Sequence, residues 1–208
     1  KGYAIVTMNN PIYNKWYPWT NNSNSAIPDP YGETMYPTPM FTNIDFSDRG
    51  DMIMDFADRS GHQFGYNNYK YLSTSLAYVG LDIGGDVLIA GRDCGTNAWV
   101  LENNGAINSN GTTLTGNSTT NNEGPGNGEF FAQDRATDDY HHETSQGAVA
   151  IVPGTADGIF TVMDPVGVFQ GGTSHFSTEN GIDNNRTVLY GGSDGEFSKA
   201  NGLGDIEV

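Results

Sequence analysis

The chain has 208 residues, 25 of them acidic and nine basic, and its formal net charge of −16 sets it against nucleic-acid backbones and anionic membranes. The length suits one domain, and aromatic residues at 12% supply apolar area for a core, which excludes wholesale disorder. No apolar run is long enough for a membrane helix, so membrane insertion is not expected.

From its first residues the chain reads as β-structure. Ala4-Ile5-Val6-Thr7-Met8 has strand character, and so does Gly204-Asp205-Ile206-Glu207-Val208 at the other end. Both look like strands cut short, and the chain is expected to be a fragment. Pro11 to Pro39 carries Trp16, Trp19 and many Tyr and Pro residues with little strand pattern. It reads as a connector pinned to the body by its aromatics, with a sugar-stacking platform as the alternative.

Next come two hairpins of the same shape. In the first, Phe41 to Phe46 leads through Ser47-Asp48-Arg49-Gly50 into Asp51 to Phe56. The alternation predicts Ile44, Phe46, Met52, Met54 and Phe56 in the core, and Asp45, Asp51 and Asp55 on the outward face. In the second, Gly147 to Val152 leads through Pro153-Gly154 into Ile159 to Asp164, with Ala148, Ala150, Phe160 and Val162 predicted as core. Each hairpin is followed by two more strand candidates, Asp86 to Gly91 with Ala98 to Glu102, and Val166 to Gln170 with Arg186 to Tyr190. Cys94 is the single cysteine, expected as a small buried hydrophobe. The Asn/Gly/Thr-rich stretch Asn103 to Gly128 has few apolar residues and is expected to be a long surface loop.

Four antiparallel strands per unit, with similar first strands, is the pattern of β-propeller blades; a β-sandwich would also give many short strands. The expected organisation is the end of a preceding blade and connector over residues 1–40, then a blade with a long polar insertion over 41–145. A second blade follows over 146–202, and 203–208 open a further one. This all-β chain, roughly two blades plus long loops, would be an incomplete part of a larger propeller.

The densest ionisable cluster is Asp134, Asp138, Asp139, His141, His142 and Glu143. It reads either as a solvated acidic loop or as a metal site. The paired imidazoles lack the i, i+4 helical spacing of a zinc motif, and hard carboxylates on a Gly-rich stretch suit Ca²⁺ better. In the metal reading Asp134, Asp138, Asp139 and Glu143 are the ligands, and His142 braces the loop. Asp45, Asp48, Asp51 and Asp55 lack the glycine and terminal glutamate of an EF-hand loop. There is no Gly-x-Ser-x-Gly elbow, phosphate loop or dinucleotide fingerprint, and no catalytic residue is assigned.

Several motifs, in order, carry a resemblance. They are Trp16-Tyr17-Pro18-Trp19-Thr20, Tyr36-Pro37-Thr38-Pro39-Met40, Asp55 to Gly65, Gly84-Gly85-Asp86-Val87-Leu88 and Leu101-Glu102-Asn103-Asn104-Gly105. Gly126 to Phe131, His142-Glu143-Thr144-Ser145 and Phe197 to Glu207 complete the set. Together they resemble the propeller-like region of large secreted bacterial surface proteins that often stands just before SdrD B-like repeats. The polar insertion before Gly124 and the doubled His141-His142 depart from that pattern. The resemblance implies an extracellular or cell-surface bacterial setting and a non-enzymatic adhesive or structural module. Its partners would be the rest of its own polypeptide or other surface proteins. A glycan-binding or glycan-hydrolysing propeller is the alternative.

Overall fold

Short apolar runs separated by glycine, asparagine and aspartate turns give antiparallel sheets in the computed structural model. It describes residues 16–19, 27–28, 34–64, 68–69, 78–79, 84–117, 124–134, 144–167, 169–191 and 203–208. In chain order the strands are β1 (Ile27–Pro28), β2 (Thr34–Met35), β3 (Pro39–Phe46) and β4 (Met52–Asp58), followed by the short helix α1 (Arg59–Phe64). Next are β5 (Asn68–Tyr69), β6 (Tyr78–Val79), β7 (Asp86–Asp93), β8 (Ala98–Leu101), β9 (Ala106–Ser109) and β10 (Thr112–Thr115). The series ends with β11 (Ser145–Ile151), β12 (Asp157–Met163), β13 (Gln170–Ser177) and β14 (Asp183–Gly191).

Two four-stranded antiparallel sheets form the body, in the orders β3-β4-β7-β8 and β11-β12-β13-β14. Each is a meander in which every strand pairs with the next member of its sheet. At the β3–β4 turn Gly50 takes φ 80°, and its N–H donates to the Ser47 carbonyl at 2.7 Å. The sheets stack where β11 lies across β3 and β4. Between them lie Ile53, Val87 and Ile89 from the first sheet and Val149, Ile151, Phe160, Val162 and Phe176 from the second. Phe130 and Phe131 fill the gap from the side, with Phe131 5.5 Å from Phe160 and 5.8 Å from Phe176.

Aromatic contacts mark the described residues of the segment read as a connector. Tyr17 stacks on Tyr36 at 4.8 Å, and the Arg59 guanidinium lies 4.0 Å over the Trp19 ring.

Both hairpins stand where the sequence places them, and Ala148, Ala150, Phe160 and Val162 are buried. On the first hairpin the faces are the other way round. Ile53, Asp55 and Ala57 point inward, while Ile44 and Phe46 are 40% and 45% exposed and Met52, Met54 and Phe56 are half-buried. Hydrogen bonds from distant residues hold Asp51 inward, which alternation cannot foresee. Asp51 accepts from Ser109 Oγ at 2.8 Å, Arg49 Nε at 3.0 Å and the Arg92 N–H at 3.0 Å.

Three other expectations are corrected. Cys94 is exposed, because it sits in the β7–β8 turn. The stretch 103–117 is not a plain loop but carries the β9–β10 hairpin, with Ile107 buried. Its turns are Asn104-Gly105 (φ 53° and 69°) and Asn110-Gly111 (φ 51° and 86°), the left-handed pairs that suit tight hairpins. The third strand of the second sheet is Gln170–Ser177, since Val166 and Gly167 lie in the bend before it. Residues 203–208 are irregular and lie beside β3, where Asn43 Nδ2 donates to Asp205 Oδ1 at 2.7 Å.

Candidate metal centre

One end of the sheet-to-sheet seam gathers acidic residues from distant parts of the chain. Two glycine-led entries supply them, Gly85 before Asp86 at the start of β7 and Gly128 before Glu129. The third acid, Asp134, closes the turn that carries Phe130 and Phe131. Gly85 is required here. A Cβ at that position would lie 1.8 Å from the Ser145 carbonyl oxygen, so only glycine lets β7 begin against β11.

The carboxylates of Asp86, Glu129 and Asp134 each offer a ligand oxygen, and these oxygens lie within 4.8 Å of one another. Their exposures are 1%, 0% and 3%. Thr144 holds the last of them in place, its N–H and Oγ both donating to the Asp134 carbonyl. Beside the cluster stands Asp55, fully buried, whose Oδ1 accepts from Ser145 Oγ at 2.6 Å. Burial pushes the Asp55 carboxyl up to about 8; the Ser145 hydrogen bond opposes this, and the charge of Asp86 adds to it. Asp58, three residues further along at the end of β4, accepts from the Thr38 and Ser60 N–H groups at 2.8 and 2.9 Å. Burial takes that carboxyl to about 7 against those hydrogen bonds.

Three carboxylates converging out of water repel one another, and a cation among them would offset that repulsion. Carboxylate oxygens at this spacing could hold a metal ion, and a hard oxygen-seeking cation matches the donor set.

Of the sequence-predicted ligands, Asp134 is in the cluster. Asp138, Asp139 and Glu143, with His141 and His142, lie outside the described residues. Asp86 and Glu129 were missed by sequence reasoning. Each follows a glycine, but nothing in a single sequence ties β7 to the turn before Phe130.

Comparison with known proteins gives one relative. The chain is 31% identical over 182 residues to Colossin-B of Dictyostelium discoideum, a match that covers 83% of this chain and 4% of that protein. The chain therefore spans only a small part of that relative's length. No family model matches it, and no solved structure matches it significantly.

Proposed function

We propose that this chain contributes two adjacent blades of a larger β-propeller to a non-enzymatic surface module, adhesive or structural, of a large secreted protein. The observation that carries the reading is the outer face of the first sheet. Phe41, Ile44, Phe46, Trp99 and Leu101 are all at least 39% exposed there, flanked by half-buried Met52, Met54 and Phe56. A contiguous apolar sheet face of this kind calls for a partner. The opposite face of the same sheet is covered by the next four-stranded meander, and another blade packed the same way would cover this one.

The motif resemblance to bacterial surface proteins with SdrD B-like repeats supports an extracellular setting. The partial match to a much longer protein supports a multidomain context. The partners in this reading are the rest of the chain's own polypeptide and other surface proteins.

The test compares residues 1–208 alone with the same chain extended into its native flanking sequence. The short form is expected to self-associate and bind an apolar fluorescent dye, and the extended form to stay monomeric and dark. A monomeric, dye-negative short form with a sharp reversible melt would sink the reading.

In the same proposal the cluster of Asp86, Glu129 and Asp134 takes Ca²⁺, which braces the seam between the blades. Calcium in about hundredfold excess over its Kd would add about 2.7 kcal/mol, seen as a raised Tm that chelator reverses. Asp86→Asn with Asp134→Asn is expected to abolish the difference. An unchanged wild-type Tm under chelation would sink the calcium reading.

A further inference from the structure

A second site lies on the other side of β4, where the first strands of both sheets meet residues 204–205. It is an open cavity of about 530 Å³ between β3, α1 and β11, within the roughly 300–1,000 Å³ range of small-ligand pockets. Gln146 is 7% exposed, and both atoms of its side-chain amide are buried without a hydrogen-bond partner. His62 Nε2, in the same wall, is likewise buried and unpartnered. Orphaned buried donors and acceptors are costly, so three in one cavity mark a place built for a polar occupant.

The remaining polar walls are already committed to the fold. Thr42 Oγ1 donates to the Asp55 carbonyl, and Asn43 bonds Ile44 and Asp205. Gly147, at φ 97°, holds the adjacent backbone close to β3; a Cβ there would come within 2.5 Å of Thr42 Oγ1. The amide of Gln146 is thereby fixed in the wall.

We propose that this cavity binds a neutral saccharide unit through the Gln146 carboxamide and His62 Nε2. An amide with both ends free asks for a donor and an acceptor side by side, which neighbouring hydroxyls provide. Burial lowers the His62 pKa, so the ring is neutral at neutral pH and makes no demand for an anion. The net charge of −16 and the Asp205 carboxylate in the wall also disfavour anionic ligands. Met40 and Ala57 offer apolar surface for the carbon face of the ring. The inference adds a ligand to the surface-module reading but stands on the cavity alone, so its failure would leave the blade test untouched.

The experiment titrates the isotope-labelled protein, in whichever of the short and extended forms is monomeric, with glucose, galactose, mannose and N-acetylglucosamine at millimolar concentrations. NMR follows the Gln146 side-chain NH₂ and the His62 ring. At least one sugar is expected to shift both saturably, and Gln146→Leu is expected to weaken that binding roughly tenfold or more. Should that variant fail to fold, His62→Ala takes its place with the same expected loss. Absence of a saturable shift with every sugar, or binding indifferent to the folded variant, overturns the proposal and leaves the cavity to water.

Discussion

The two sheets share meander order and strand number, yet they treat their hairpins differently. In the second sheet β11 and β12 are buried on both faces, so Ala148 and Ala150 are as hidden as Val149 and Ile151. In the first, β4 alternates strictly, with Ile53, Asp55 and Ala57 inward and Met52, Met54 and Phe56 half-open. The same topology thus gives a two-sided core element in one place and a one-sided element in the other. What decides is what packs against each face, a matter of tertiary contact that no strand carries alone.

Paired truncations break this comparison most sharply. Phe160→Ala removes a fully buried ring from the Phe130–Phe131–Phe160–Phe176 cluster and should cost about 3–5 kcal/mol of unfolding free energy. Phe56→Ala, on the open face against Phe41, should cost about 1–2 kcal/mol in the 208-residue chain. Equal losses in denaturant titrations would mean that the faces do not differ as described. A smaller effect probes the inward acid. Asp51→Ala leaves Ser109, Arg49 and the Arg92 N–H without their acceptor and should cost about 2–3 kcal/mol. A neutral result would place Asp51 outside the core network.

The mildest test uses pH, with chelator present. Asp55 rises from 3.8 to about 8 and Asp58 from 3.8 to about 7, so the folded state keeps protons that the unfolded chain has released between those values. These groups' stability is therefore fullest below about pH 4 and is lost as pH rises toward 8. Their contribution should make denaturation midpoints fall between about pH 5 and 8, and Asp55→Asn should flatten that slope. A slope unchanged by the substitution would show that Asp55 titrates alike in both states.

The existence of the hairpins was legible because Ser47 to Gly50 and Pro153-Gly154 punctuate β-rich runs. Their faces were legible only in the second. On β4 apolar residues occupy both sides, and the rule that acids point outward failed because Ser109 and the Arg92 N–H hold Asp51 inward and Ser145 bonds a buried Asp55 whose carboxyl burial pushes up to about 8. The β9–β10 hairpin was hidden by its polar composition, although Asn104-Gly105 and Asn110-Gly111 advertised its turns. Of the acidic cluster only Asp134 stood out, in a run of neighbouring acids. Asp86 and Glu129 join it through tertiary packing that Gly85 permits.

The turn at Phe130 has a bearing on how the molecule comes apart. Its N–H is taken by the Glu102 carboxylate at 2.7 Å, and its carbonyl accepts from the Asn117 N–H. A Cβ at Gly116 or Gly181 would lie 2.3 or 1.7 Å from the Phe130 backbone, so the segment after β10 and the β13–β14 loop of the second sheet close on it without side chains between, while Glu102 holds it to the first sheet. Repeat modules often open one unit at a time, as nearest-neighbour stacks do. Here a single dipeptide is gripped from both sides, and neither sheet can leave without releasing it. The two sheets should therefore behave as one cooperative unit, and the Phe130 and Phe131 amides should exchange with solvent only when both open together.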